Sequence, residues 1–175
     1  MRIIAGELGG RTLVAPRGWK VRPTSDRVRE AIFSALAGVE GAVVLDLFCG
    51  TGALAIEALS RGATRAILVD TDPRLARRNV GDLGLGGRAE VVRADAVRFL
   101  RRRGERFELI FCDPPYNIAD RVEGDLDSLI PPRLARGGRL IVESSARRPL
   151  ELVALPLALE RRYGEALIRI YGGGG

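Results

Sequence analysis

From residue 42 onward, apolar segments typical of buried strands alternate with segments that have helical periodicity or helix caps. Because each parallel connection needs a crossover, this alternation predicts an α/β fold with a parallel sheet and helices on both faces. The last segments, 157–163 and 166–171 around Gly164, predict a hairpin that adds an antiparallel element. Strands are predicted at 42–48, 65–70, 89–94, 107–112 and 139–143, and helices at 53–61, 72–83, 95–103 and 119–135, the last interrupted near Pro131 and Pro132.

The fourth predicted strand runs into Asp113-Pro114-Pro115-Tyr116. Two consecutive prolines lack the N–H groups of a strand and fix φ, so the strand must end there. The corner carries a carboxylate, backbone carbonyls and an aromatic ring at the end of a strand where α/β sheets bind ligands. Such a corner suits an exocyclic base amine, because acceptors on its N–H groups localise the nitrogen lone pair and a ring stacks on the base. No group with a perturbed pKa is needed for that step. A tight Asp-Pro turn between strand and helix fits the same four residues.

A glycine loop follows the first predicted strand. Gly50-Thr51-Gly52-Ala53-Leu54-Ala55 matches the G-x-G-x-x-G/A pattern between strand and helix, which by itself also fits a dinucleotide dehydrogenase. Asp46, inside the strand, would repel a pyrophosphate and attract an ammonium group. Asp70, at the end of the second strand, is placed to bind a ribose.

Two further acids lie near the same loop. Asp72 before Pro73 is assigned to capping the next helix. Asp95, after the third strand, suits either an adenine amine or a plain helix cap. Ammonium, ribose and adenine sites in sequence favour S-adenosylmethionine over NAD. The alternatives are an NAD(P)-dependent oxidoreductase and a non-catalytic RNA-binding protein.

Composition narrows the class of protein. The chain has 175 residues, a hydrophobic content of 46%, no histidine and two separated cysteines, Cys49 and Cys112. One domain in a reducing cytoplasm is expected, without a disulfide framework, a zinc site or a membrane partner. No obligate protein partner is indicated. The net charge of +6 predicts a polyanionic partner.

The basic charge is concentrated near the start of the chain. The first 30 residues contain seven basic and three acidic side chains. Short strands at 2–5 and 11–14 predict a small hairpin or arm, and a helix is predicted after Pro23 with Thr24 as a possible cap. Arg27 and Arg29 are expected on or beside its polar face, where a solvated surface is the usual interpretation of scattered arginines.

Taken together, these motifs resemble a known family. Asp46-Leu-Phe-Cys-Gly-Thr-Gly52 and Asp113-Pro-Pro-Tyr116 resemble class I amino-methyltransferases. Arg2-Ile-Ile-Ala-Gly6, Gly10-Arg11, Arg22-Pro-Thr-Ser-Asp-Arg-Val-Arg-Glu30 and Glu57-Ala-Leu-Ser-Arg-Gly62 are similar to the RsmD family, over essentially the whole chain. The resemblance implies methylation of a guanine N2 in small-subunit (16S) ribosomal RNA, free or in an assembling particle. An amino-methyltransferase for another RNA or DNA base remains an alternative.

The resemblance also implies a Rossmann-like sheet of seven strands with the last one antiparallel, and S-adenosylmethionine as the methyl donor. It divides the chain into a basic arm (1–24), a methyltransferase domain (25–171) and a glycine tail (172–175). The implied catalytic residues are Asp113, Pro114, Pro115 and Tyr116. The implied cofactor-binding residues are Asp46, Phe48, Gly50, Thr51, Gly52, Asp70, Asp95 and Ala96. The implied RNA-binding residues are Arg2, Arg11, Arg22, Arg27 and Arg29.

Overall fold

The computed structural model describes residues 1–16, 23–36 and 38–172, with only the backbone described for residues 23–25. None of the helices in these ranges is both long enough and apolar enough to span a membrane. The helices are α1 (Pro23–Ala35), α2 (Ala53–Ser60), α3 (Arg74–Asp82), α4 (Ala96–Arg102) and α5 (Ala119–Leu129), with a short 3-10 helix at Pro131–Arg133. The strands are β1 (Val43–Leu47), β2 (Arg65–Asp70), β3 (Ala89–Arg93), β4 (Phe107–Cys112), β5 (Leu134–Ser145), β6 (Leu157–Tyr163) and β7 (Ala166–Gly172).

The seven strands form one sheet in the order β3-β2-β1-β4-β5-β7-β6. The first five strands pair in parallel, and β7 pairs antiparallel with both β5 and β6. The predicted mostly parallel sheet with an antiparallel last strand is therefore confirmed.

Helices cover both faces of the sheet, as predicted. One face, here called the hairpin face, packs against α1, α2, α3 and the N-terminal segment. The opposite face packs against α4 and α5. Alternate residues of each strand supply the two cores, as the period of two in a strand requires: Val44 packs on the hairpin face, whereas Leu45 and Leu47 pack on the opposite face.

The N-terminal hairpin is shorter than predicted. The predicted strands 2–5 and 11–14 reduce to a single antiparallel bridge between Arg2 and Thr12. Ile3 and Leu13 on either side of it are buried in the core of the hairpin face. The segment is therefore packed against the sheet domain by its apolar residues, and Gly6 and Gly10 both take positive φ where it turns.

Other boundaries also differ from the prediction. Helix α1 begins at Pro23, so Thr24 lies inside the helix instead of capping it. Pro73 occupies the N-cap position of α3, and the Asp72 carboxylate pairs with the Arg74 guanidinium at 2.6 and 2.7 Å, so the capping role assigned to Asp72 is wrong. The predicted helix 119–135 ends at Leu129, because the chain turns at Pro131 and enters β5 at Leu134.

Candidate active site

The two sequence motifs meet where the sheet changes direction. Strand β1 lies between β2 and β4, so the connections that leave β1 and β4 depart towards opposite sides. In open α/β sheets the crevice at such a switch point is the usual ligand site. The glycine loop follows β1 and the Asp113 corner follows β4, so the fold brings both motifs to this crevice.

The backbone of the glycine loop is strained and tightly packed. Phe48, which is not a glycine, has a φ of 61°, and such outliers cluster at ligand sites. Gly52 has a φ of 78°, and a Cβ there would lie 2.6 Å from Leu68 Cδ2. The Gly50 N–H donates to Asp70 Oδ2 at 2.8 Å, which ties the loop to the end of β2.

Asp46 is a buried carboxylate with little compensation. It is 2% exposed and accepts one hydrogen bond, from the Ala55 N–H at 3.2 Å. Burial raises the pKa of Asp46 to about 7; the Ala55 bond opposes this shift and the nearby charge of Asp70 adds to it. A ligand cation beside this carboxylate would restore the stabilisation that burial removes.

The other predicted cofactor residues lie around the same loop. Asp70 also accepts from the Asp72 N–H at 2.9 Å, and an ionised carboxylate with two bonds retains acceptor capacity for ribose hydroxyls. Asp95 caps α4 by accepting from the Arg98 N–H at 3.0 Å, so the helix-cap alternative is confirmed. The Thr51 hydroxyl points to Met1 Sδ at 3.8 Å, and Ala96 is the buried first residue of α4. Their cofactor contacts stay predictions.

The Asp-Pro-Pro-Tyr corner ends β4 at Cys112, as predicted. The carbonyl of Pro115 accepts from the N–H groups of Ile118 and Ala119, so the corner also serves as the turn into α5. Asp113 is partly buried, Pro114 is buried, and the Tyr116 side chain is exposed over 60% of its surface. An exposed ring beside a partly buried carboxylate is a suitable platform for a flat base.

Glu143 is a candidate functional residue that the sequence analysis missed. Phe111 and Ile141 pack in the core of the hairpin face, so Asp113 and Glu143, each two residues later, also face that side. Strands β4 and β5 pair Cys112 with Val142, which makes Asp113 and Glu143 neighbours. The detectable signal was a carboxylate ending a parallel strand beside that of Asp113.

The two carboxyl groups perturb each other. The pKa of Asp113 is raised well above its ordinary value, first by burial, then by the charge of Glu143 and that of Asp46. Burial also raises the pKa of Glu143. Asp46 faces the same side, two residues after Val44, so three acceptor groups line the hairpin face at the ends of β1, β4 and β5.

The predicted RNA-binding arginines separate into two groups. Arg2, Arg11 and Arg27 are exposed. Arg29 is only 5% exposed, and its Nη2 donates to the Arg2 carbonyl at 2.6 Å and to Asp26 Oδ1 at 2.9 Å. The assignment of Arg29 to an RNA surface is therefore wrong, because α1 turns it into the protein. Arg22 lies outside the described residues.

The Glu57-to-Gly62 motif holds the N-terminal hairpin. Glu57 is fully buried in α2, and its carboxylate accepts from the N–H groups of Ile4 at 2.7 Å and Ala5 at 3.0 Å. The Ser60 hydroxyl accepts from the Leu8 N–H at 3.0 Å and donates to the Ala5 carbonyl at 2.6 Å. This motif therefore acts by anchoring a segment to the sheet domain and contributes no group at the crevice.

Comparison with known proteins identifies the family. The family model described as conserved hypothetical protein 95 matches residues 1–172. The chain belongs to this family. It is 42% identical over 119 residues to ribosomal RNA small subunit methyltransferase D of Escherichia coli K12, which covers 66% of this chain and 60% of that relative. The enzyme of the same name from Haemophilus influenzae is 35% identical over 130 residues, covering 69% of this chain and 67% of that relative.

Solved structures agree with the family assignment. The Escherichia coli protein yhhF, provisionally described as a methyltransferase, has 34% identity and a TM-score of 0.83, covering 100% of this chain and 98% of that one. N-methyltransferase NodS of Bradyrhizobium japonicum WM9 shares the fold with 16% identity and a TM-score of 0.71, covering 89% of this chain and 90% of that one. The predicted resemblance to the RsmD family and the predicted Rossmann-like methyltransferase fold are confirmed.

Proposed function

We propose that this chain transfers a methyl group from S-adenosylmethionine to the exocyclic N2 of a specific guanine in small-subunit (16S) ribosomal RNA. The observation that carries the proposal is the pair of acceptors, Asp113 and Glu143, next to the glycine loop on one face of the sheet. The names of the family relatives, which are small-subunit ribosomal RNA methyltransferases, support the substrate class.

The residues around the glycine loop fit S-adenosylmethionine. Asp46 would receive the ammonium group, because its buried carboxylate has one hydrogen bond and a pKa raised to about 7 by burial. Asp70 would accept from the ribose hydroxyls, and Asp95 retains one carboxylate oxygen for the adenine amine. When bound, this cofactor supplies an electrophilic methyl group on a sulfonium.

The acceptor pair favours guanine over adenine. The Watson–Crick edge of guanine presents two neighbouring donors, N1–H and the N2 amine, whereas adenine N1 is an acceptor. Asp113 would accept from N2 and Glu143 from N1, and adenine would leave Glu143 opposed to a lone pair. A buried acceptor without a donor costs about 1–3 kcal/mol, which is enough to discriminate between the bases.

The residues of the corner would act by orientation and polarity. Asp113 and the Pro114 carbonyl would accept from the two N2–H groups, which makes the nitrogen pyramidal and directs its lone pair towards the methyl group. Tyr116 would stack on the base. The new N–C bond forms as the S–C bond breaks, and the extra proton on nitrogen then leaves. Since burial and neighbouring charge raise the pKa of Asp113, this carboxylate can take up that proton before it passes to solvent.

The charge of Asp46 argues against the oxidoreductase alternative. A dinucleotide pyrophosphate at the glycine loop would lie against this buried carboxylate, and two anions in low dielectric repel strongly. A calorimetric titration separates the two cofactors. We expect S-adenosylmethionine to bind and NAD and NADP to give no heat; the reverse result would overturn the cofactor assignment.

The activity is tested by labelled methyl transfer. Wild-type protein, labelled cofactor and small ribosomal subunits that lack this methylation are combined, and the labelled base is mapped. We expect one guanine labelled at N2. Label on another base would favour the alternative amino-methyltransferase, and transfer to naked 16S RNA but not to subunits would make free RNA the substrate. Arg121→Ala, an exposed substitution on α5 of the opposite face, serves as the control for handling losses.

A further inference from the structure

A basic cleft lies beside the crevice but outside the residues of the proposed chemical step. It has a volume of about 370 Å³ and is lined by Asp72, Pro73, Arg74, Arg77 and Arg93. Three guanidinium groups face one carboxylate, so the cleft carries excess positive charge. S-Adenosylmethionine carries a sulfonium and an ammonium group, so the cleft does not suit the proposed cofactor, and an anion is the matching ligand.

The arginines of the cleft retain donors for such an anion. Arg74 is held by Asp72, but its side chain is 85% exposed. Arg93 uses Nε to bind the Thr71 carbonyl at 3.2 Å, which leaves both terminal nitrogens of the guanidinium for a ligand. Within the part of the chain that the structure describes, no acidic side chain lies within ion-pair distance of Arg77.

The position of the cleft indicates which anion it meets. Val91 of β3 packs on the hairpin face, so Arg93, two residues later, faces the same side as α3 and as Asp113. The edge strand β3 is three strand spacings from β4, or about 14 Å, a distance that a few nucleotides of single strand can span. Arg11 of the hairpin reaches the Asp82 carbonyl at the far end of α3, so exposed basic groups continue along this helix.

We propose that Arg74, Arg77 and Arg93 bind backbone phosphates of the substrate RNA, on nucleotides that flank the base held at Asp113. This inference rests on the proposed function and adds a contact surface on α3 and β3 to the exposed arginines of the hairpin. Guanidinium groups suit phosphate because they donate in a fork that matches two phosphate oxygens. Such contacts position the RNA strand and carry no base specificity.

The test compares two double variants of equal charge. Arg77→Ala/Arg93→Ala removes two cleft guanidiniums, and Arg121→Ala/Arg136→Ala removes two exposed arginines from α5 and from the start of β5. Binding to small ribosomal subunits is measured as a function of salt. For single-stranded contacts the slope of log affinity against log salt falls by about 0.7 for each phosphate lost, so the cleft variant should lose about 1.4. The control variant should keep the wild-type slope.

Further readouts distinguish the possible failures. Calorimetric affinity for S-adenosylmethionine should be the same in the wild type and the cleft variant, and the apparent KM for subunits should rise in the cleft variant. A salt slope equal to wild type, or an equal loss in the control variant, would overturn the cleft as an RNA contact. Competition by inorganic phosphate at concentrations comparable to those of the subunits would instead make it a site for free phosphate. If wild-type protein binds subunits but transfers no methyl group, the proposed function fails independently of the cleft.

Discussion

The side-chain amide of Asn79 is paired with both backbone groups of Val14. Asn79 Oδ1 accepts from the Val14 N–H at 2.7 Å, and Nδ2 donates to the Val14 carbonyl at 3.0 Å. Nδ2 also donates to the Thr51 carbonyl at 2.9 Å, and the side chain is 1% exposed. One buried amide therefore fixes the N-terminal hairpin and the glycine loop to α3, which connects a predicted RNA-contacting segment to the predicted cofactor loop.

Replacing Asn79 should loosen both segments. Asn79→Ala leaves three buried backbone groups without partners, so we expect the free energy of unfolding to fall by about 2 kcal/mol and cofactor affinity to fall with it. Asn79→Asp is the informative comparison, because it keeps the acceptor for Val14 but places an anion against two carbonyls. Denaturant unfolding and calorimetry measure the two effects. An Asp variant as stable as wild type would show that the Nδ2 bonds contribute nothing.

Arg27 and Arg29 form a matched pair on one helix. Arg29 is buried and bonded to Asp26 and to the Arg2 carbonyl, whereas Arg27 is exposed. We expect Arg29→Met to lower the free energy of unfolding by about 2 kcal/mol, as for lost hydrogen bonds to a charged group, and to leave the salt slope of RNA binding unchanged. Arg27→Ala should do the reverse. Equal effects of both substitutions on RNA binding would restore Arg29 to the RNA surface.

The sequence predicted the framework better than the buried polar contacts. Strands β2 and β4 have the predicted bounds, because an apolar run between turn residues is a local signal. Asn79 and Glu57 looked like ordinary helix residues, and their roles arise only when α2 and α3 meet a hairpin more than 50 residues away in sequence. Arg29 was misplaced for the same reason: its burial depends on the position of the hairpin.

The burial of Asp46 makes stability depend on pH. Burial, more than the charge of Asp70, raises the pKa of this carboxyl to about 7, so between about pH 4 and 7 the folded chain binds more protons than the unfolded chain. The free energy of unfolding should therefore fall as pH rises through that window, and Asp46→Asn should flatten the curve. Asp113 and Glu143 add slope of the same sign and remain in the variant. Denaturant unfolding at several pH values measures this, and parallel curves for variant and wild type would refute it.

The acceptor pair at the ends of β4 and β5 leads to a prediction about the chemical step. Asp113→Ala removes the group placed against the reacting nitrogen, so single-turnover methylation should slow by about 10² to 10³, the scale for one preorganised polar group. Cofactor affinity should change much less, since the proposed cofactor residues lie at the other side of the crevice. Methylation by this variant at nearly the wild-type rate would leave the corner with only its role as a turn.

Glu143→Gln separates a catalytic partner from a structural neighbour. The charge of Glu143 is the second cause, after burial, of the raised pKa of Asp113, so removing it should lower that pKa. If the reaction needs Asp113 ionised, the acid limb of the pH–rate profile must then move to lower pH. A loss of stability alone would reduce the rate at every pH without moving the limb. We therefore expect a shifted limb in single-turnover profiles, and an unshifted limb would remove Glu143 from the chemistry at Asp113.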